Sequence, residues 1–180
     1  MKRESSFIDL GIILRRRSRG EADRVVTVLT KRHGKIQVIA KGVRKNGAKR
    51  GAHIELFNTI KAQIIEGKAG LILGQTELVT ERSGLKSDLK LIRIGFSLVE
   101  VADRMTPFAQ SHPELFELLD RALSSVSLDK WGDEDRLTQV FAEKVLKLTG
   151  FGVPKGVSDL HEYIEELVES RLRSQEVFKE

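Results

Sequence analysis

Lysine and arginine are the residues in this sequence with the most chemistry to offer, and they are unevenly placed. Fifteen of the 31 lie in the first 50 positions, against four carboxylates (Glu4, Asp9, Glu21 and Asp23), giving that stretch a formal +11 in a chain whose total is +5. The remainder is mildly acidic. Thirteen of these cations fall between residues 15 and 50: Arg15, Arg16, Arg17, Arg19, Arg24, Lys31, Arg32, Lys35, Lys41, Arg44, Lys45, Lys49 and Arg50. Cations this dense attract polyanions by long-range steering and by releasing counterions from phosphates. Nucleic acid is the partner they fit, and composition admits DNA and RNA equally.

Other side-chain chemistry is sparse. With no cysteine in the chain, disulfides and thiolate metal sites are excluded. His33, His53, His112 and His161 lack ligand-spaced neighbours on one helix face, so each reads as a turn, loop or surface residue, and no metal or cofactor is expected. Gly42 and Gly47 have the four-residue gap of a phosphate loop. Ala48 stands where the lysine belongs, however, and no Ser or Thr closes the motif. No G-x-S-x-G elbow is present. Glu21 and Asp23 read as turn residues with a local salt bridge to Arg24. An enzyme is not expected.

The aromatics narrow the binding mode. Phe7 and Phe57 are the only two in residues 1–80, both at positions expected of strand core. Sequence-tolerant single-strand binders stack bases on several exposed rings. Contact here should run mainly to the backbone, with little sequence preference and steep salt dependence. Screening phosphates without gripping bases would suit bringing two strands together. The glycines of the 42–53 stretch suit close approach to phosphate, or simple flexibility.

The elements that must carry these residues follow from hydrophobic period. Five strands are expected, at Phe7–Arg17, Asp23–Arg32, Lys35–Lys41, Ile54–Glu66 and Leu71–Thr80, with tight turns at Arg32–Lys35 and Glu66–Gly70. Five short strands close more economically into a small OB-type barrel than into a sandwich. After Thr80 the period becomes helical: Leu85, Leu89, Ile92, Phe96 and Val99, capped by Ser87; then Leu115, Leu119, Ala122 and Val126; then Leu137, Phe141, Val145 and Leu148; then Leu160 through Leu172. The class is α+β: an OB-type barrel over residues 1–80 and a helical domain over 81–180. The run Ile8–Leu14 is too short to span a membrane and no targeting signal is visible, which predicts a soluble, cytoplasmic protein.

Specific segments carry a family resemblance. Gly20-Glu21-Ala22-Asp23-Arg24-Val25-Val26-Thr27-Val28-Leu29-Thr30, His33-Gly34-Lys35 and Ala40-Lys41-Gly42-Val43-Arg44 closely resemble the bacterial RecO DNA-repair and recombination-mediator proteins. Ile54-Glu55-Leu56-Phe57 resembles the family's fourth strand and Thr76-Glu77-Leu78-Val79 its fifth. Leu85–Leu89, Pro113–Phe116 and Leu148–Pro154 match later landmarks in order. The resemblance implies an OB domain that binds single- and double-stranded DNA, anneals complementary strands and, with RecR, assists loading of RecA onto DNA coated by single-stranded DNA-binding protein. It carries no catalytic residues. Its DNA-contacting positions fit Arg15, Arg16, Arg24, Lys35, Lys41, Arg44 and Lys45, and the basic loop adds Lys49 and Arg50. Many members follow the Gly-Phe-x-x-Pro landmark with a cysteine-rich zinc segment. Here Pro154 runs almost directly into the last helix, so the zinc module is expected to be missing. The alternative is an OB-fold RNA-binding protein associated with ribosomes.

A partner surface is expected on the last helix. Single-stranded DNA-binding protein ends in an acidic, apolar tail, and its receptor needs an apolar groove with a cationic rim. Leu167, Val168 and Leu172 would form the wall, Arg171 and Arg173 the rim.

Overall fold

In the computed structural model, residues 5–45, 50–128, 130, 132–153, 155–157, 159–169 and 172 are described. The first unit is built from β1 (Ser6–Arg19), β2 (Asp23–Thr30), β3 (Gly34–Ala40), a single turn α1 (Arg50–His53), β4 (Thr59–Gly67) and β5 (Gly70–Thr80). The strands close into a barrel in the order β1-β2-β3-β5-β4. That is an OB-type barrel, as the five-strand pattern implied.

β1 is long because it serves two neighbours. Its first half, Ser6–Ile12, pairs antiparallel with β4, and Gly11–Arg19 pairs with β2. Its register on β2 shifts between Ile13 and Arg15, a bulge that bends the strand around the barrel. Ile13, Val26, Val28, Ile36, Val38, Ile60, Ile64 and Leu73 fill the interior. Closure between β3 and β5 is slight: only Val38↔Leu71 and Ile39↔Ile72 are in parallel register. The leading end of β3 is covered instead by residues 108–113, where Lys35 and Phe108 form a parallel bridge and Ala109 N–H donates to the Lys35 carbonyl at 2.9 Å.

The fourth strand starts later than its residues suggest. Ile54–Phe57 is not strand; it forms a turn between α1 and β4. Phe57 sits at φ 74°, and its N–H donates to the Ile13 carbonyl while Asn58 returns an acceptor to Ile13 N–H. Apolar alternation there reflects burial of Ile54 and Phe57 beneath the barrel, not a ladder.

The second unit comprises a 3₁₀ turn (Ser83–Lys86), α2 (Leu89–Met105), α3 (Pro113–Ser127), α4 (Glu134–Leu148) and α5 (Leu160–Leu167). Asp88, not Ser87, caps α2: its carboxylate accepts from Lys90 N–H at 2.6 Å, while the Ser87 hydroxyl donates to the Gly84 carbonyl and closes the preceding turn. A carboxylate at a helix amino end also meets the favourable end of the dipole. The buried stripe of α2 runs through Ile94, Leu98, Val101, Ala102 and Met105, and Leu89 is left 75% exposed. Arg82 is fully buried, its Nη2 donating to the Asp120 carboxylate (2.7 Å), the Asp120 carbonyl and the Ser124 hydroxyl.

The unit boundaries are not one cut. Residues 1–81 and 108–113 form the first unit; residues 82–107 and 114–180 form the second. Residues 108–113, beyond the expected border at residue 80, group with the barrel.

Candidate nucleic-acid interface

Strand alternation sorts the arginines of β1. Arg15, Arg17 and Arg19 lie on the outer, exposed side, while Arg16 is half-buried on the other. Arg16 forms an ion pair with Glu55, and Arg24 Nη1 lies 3.8 Å from the same carboxylate. Glu55 therefore offsets part of the charge of both. Arg24 does not pair with Glu21 or Asp23; the Asp23 carboxylate instead accepts the Gly42 N–H at 2.8 Å.

That bond is one of three lacing the β1–β2 turn to the stretch after β3. Arg44 N–H donates to the Ala22 carbonyl at 3.0 Å, and Arg44 Nη1 donates to the Gly20 carbonyl at 2.9 Å. Gly42 sits at φ 69°, a conformation glycine adopts without a Cβ penalty. The lacing gathers exposed Arg19, Lys41, Arg44 and Lys45 at one end of the barrel, next to Arg17. Here a cationic ridge is displayed on backbone fixed by hydrogen bonds, and its chemistry is that of a phosphate-contacting surface.

Other expected DNA-contacting residues are employed elsewhere. Lys35 is only 6% exposed, and its ammonium lies 4.6 Å from the centroid of the Phe108 ring. It is a buried residue covered by an aromatic, and phosphate does not reach it. Arg50 braces the loop: Nη1 donates to the Gly74 carbonyl at 3.1 Å and Nη2 to the Lys41 carbonyl at 3.1 Å. Lys49 lies outside the described residues.

A further polar cluster marks the opposite end, at the β2–β3 turn. Asp9, 5% exposed, accepts from Leu10 N–H, Arg32 N–H at 3.0 Å and His33 Nδ1 at 2.6 Å, with Arg32 Nε at 3.4 Å. Burial alone would push its carboxyl up, but those donors outweigh it and hold the group below the usual carboxylate range. His33 stacks on Phe7, with ring centroids 3.9 Å apart. The sequence hinted at this only through an aspartate inside an apolar run.

On the helical side, α5 ends at Leu167, so the expected terminal helix does not extend through residue 172. Leu172 is fully buried, its N–H donating to the Glu165 carboxylate at 2.7 Å; it is interior and not a groove wall. Leu167 and Val168 are half-buried, and Arg171 and Arg173 lie outside the described residues. Buried His161 places Nε2 3.3 Å from the Ser97 hydroxyl, and burial depresses its pKa. Among the described residues, no three His, Asp or Glu side chains converge as a metal site would require, and no helix is long and apolar enough to cross a membrane.

An OB-type barrel with a cationic outer ridge, continued by a helical unit, is the class of protein that these features define. Comparison with known families narrows it: residues 3–82 match the family "Recombination protein O N terminal" and residues 86–154 match "Recombination protein O C terminal". The chain belongs to the RecO family. It is 33% identical over 120 residues to the DNA repair protein RecO of Cutibacterium acnes, covering 66% of this chain and 49% of that one. Its identity to the RecO of Symbiobacterium thermophilum is 31% over 145 residues (78% and 55%), and to that of Dehalococcoides mccartyi 30% over 151 (84% and 59%). The chain thus spans about half the length of these relatives.

Proposed function

We propose that this chain is a non-catalytic DNA-binding protein of recombinational repair. It binds single- and double-stranded DNA through the phosphate backbone, anneals complementary strands and, with RecR, assists loading of RecA on DNA held by single-stranded DNA-binding protein. The observation that carries the reading is the laced ridge of Arg17, Arg19, Lys41, Arg44 and Lys45, exposed on one end of the barrel. Charge there screens two phosphate backbones at once without demanding a particular base, which is what annealing needs. Family membership supports a repair role performed in the cytoplasm on chromosomal DNA.

Annealing of complementary labelled oligonucleotides, followed by fluorescence transfer with RNA of equal length as competitor, tests this. The expected result is faster annealing that RNA suppresses no better than unlabelled DNA. No acceleration, or preferential capture by RNA, would overturn it in favour of an RNA-binding role.

A further inference from the structure

Phe108 stands apart from every other aromatic of the first unit. It enters the barrel's surface from the stretch after α2, and its residue is 51% exposed. The Lys35 ammonium lies 4.6 Å from the ring centroid, occupying one π-face. The exposed area therefore belongs to the other face and the edge.

The ring is held by unusual backbone. Ala109, the next residue, adopts φ 58°, a left-handed conformation that non-glycine residues rarely hold, while its N–H donates to the Lys35 carbonyl at 2.9 Å. Opposite it, Gly34 at φ 72° has no room for a side chain: a Cβ there would lie 2.1 Å from the Gln110 carbonyl oxygen. Strained backbone persists where its surroundings over-determine it, and such positions concentrate at binding sites. Here the strain fixes a flat apolar ring, face outward, over a buried cation.

From this geometry we infer that Phe108, backed by Lys35, is a stacking platform for one unpaired nucleobase. The inference rests on the DNA-binding reading above and deepens it. Platform and ridge lie at opposite ends of β3, whose seven residues span roughly 20 Å at about 3.3 Å each. Only Gln37 of β3 is exposed between them, so a single strand would pass over that end-to-end distance touching Lys41 and its neighbours with its phosphates and Phe108 with a base, within the ~4–16 nucleotides typical of an OB fold. A duplex keeps its bases stacked on one another and cannot use the ring. The platform thus confers a preference for single strands that the ridge alone does not.

The test measures affinities of oligo(dT) and of a duplex for wild type, Phe108→Ala and Phe108→Leu, with thermal melts of each. Leucine keeps the apolar cover over Lys35 and removes the π-face. Both variants should weaken oligo(dT) binding by about 5- to 150-fold, the range one stacked base commands, and shift duplex affinity by no more than about twofold. Phe108→Trp should retain binding, and its added fluorescence should be quenched by oligo(dT) but not by duplex. Equal losses for both DNAs would mean that the ring acts through the fold, and no loss for either would mean that bases ignore it; each overturns the platform alone. A wild-type protein that binds neither DNA would overturn the DNA-binding reading together with it.

Discussion

Removing the ridge charges should flatten the salt dependence of DNA binding by a predictable amount. Arg17, Arg19, Lys41 and Lys45 are exposed, and the bonds that lace the loop run through Asp23, Gly42 and Arg44 instead. Replacing the four by Ala should therefore leave the barrel folded. If each neutralises one phosphate, the log–log slope on duplex DNA loses about 3.6 of its magnitude, and on single strands about 2.8. Between 50 and 200 mM salt, wild-type duplex affinity should then fall about 150-fold further than the variant's, and single-strand affinity about 50-fold further. Fluorescence anisotropy across a salt series reads this directly. The charge already shared with Glu55 provides an internal contrast: Arg16→Ala should change the slope by well under one unit of phosphate. Parallel salt lines for wild type and the quadruple variant would refute the argument, as would a larger slope change from Arg16→Ala alone.

Three further outcomes concern the scaffold. Gly34→Ala should cost at least about 1–2 kcal/mol from the left-handed backbone alone, and the clash with Gln110 should expose the Ala109 amide to rapid hydrogen exchange; unchanged protection would refute the close approach. Because the Asp9 pKa is depressed in the fold, its stabilisation is present above about pH 4 and lost as pH falls through the lower folded value, so Asp9→Asn should be about 1.5–3 kcal/mol less stable at pH 7 and converge on wild type as the pH is lowered through that value in denaturant titrations. Arg82→Met should cost about 2–3 kcal/mol by the same titration at pH 7, since it strips a buried donor from Asp120 and Ser124; an unchanged midpoint would show the pair to be dispensable.

Much of the barrel was legible because period-2 alternation and glycine turns are local signals: β2, β3 and β5 fall within two residues of expectation. Ile54–Phe57 misled because its alternation came from residues plugging the barrel from a turn, a tertiary cause that imitates a strand. The cationic face was legible as a region but not residue by residue. Sequence gives no means of knowing that Glu55, about 40 positions from Arg16, pairs with it, or that Lys35 is covered by a ring 73 positions away. Phe108 itself was invisible as a candidate, since it follows a helix and looks like connecting chain.

The return of residues 108–113 to the barrel has a consequence for how the protein is made. The chain crosses between its two units three times, after residues 81, 107 and 113. A ribosome delivers all five strands first, yet the piece covering the leading end of β3 follows only after residues 82–107, α2 among them. Until then the Lys35 carbonyl lacks its Ala109 donor, and the seam relies on two register pairs with β5. An uncovered strand edge is a template for pairing with other chains. The nascent barrel is therefore exposed to misassembly while residues 82–107 are synthesised, and a fragment cut at residue 81 would stay so indefinitely. The barrel is thus not a module that ends where the helices begin: it is finished only by chain that lies beyond the start of the helical unit.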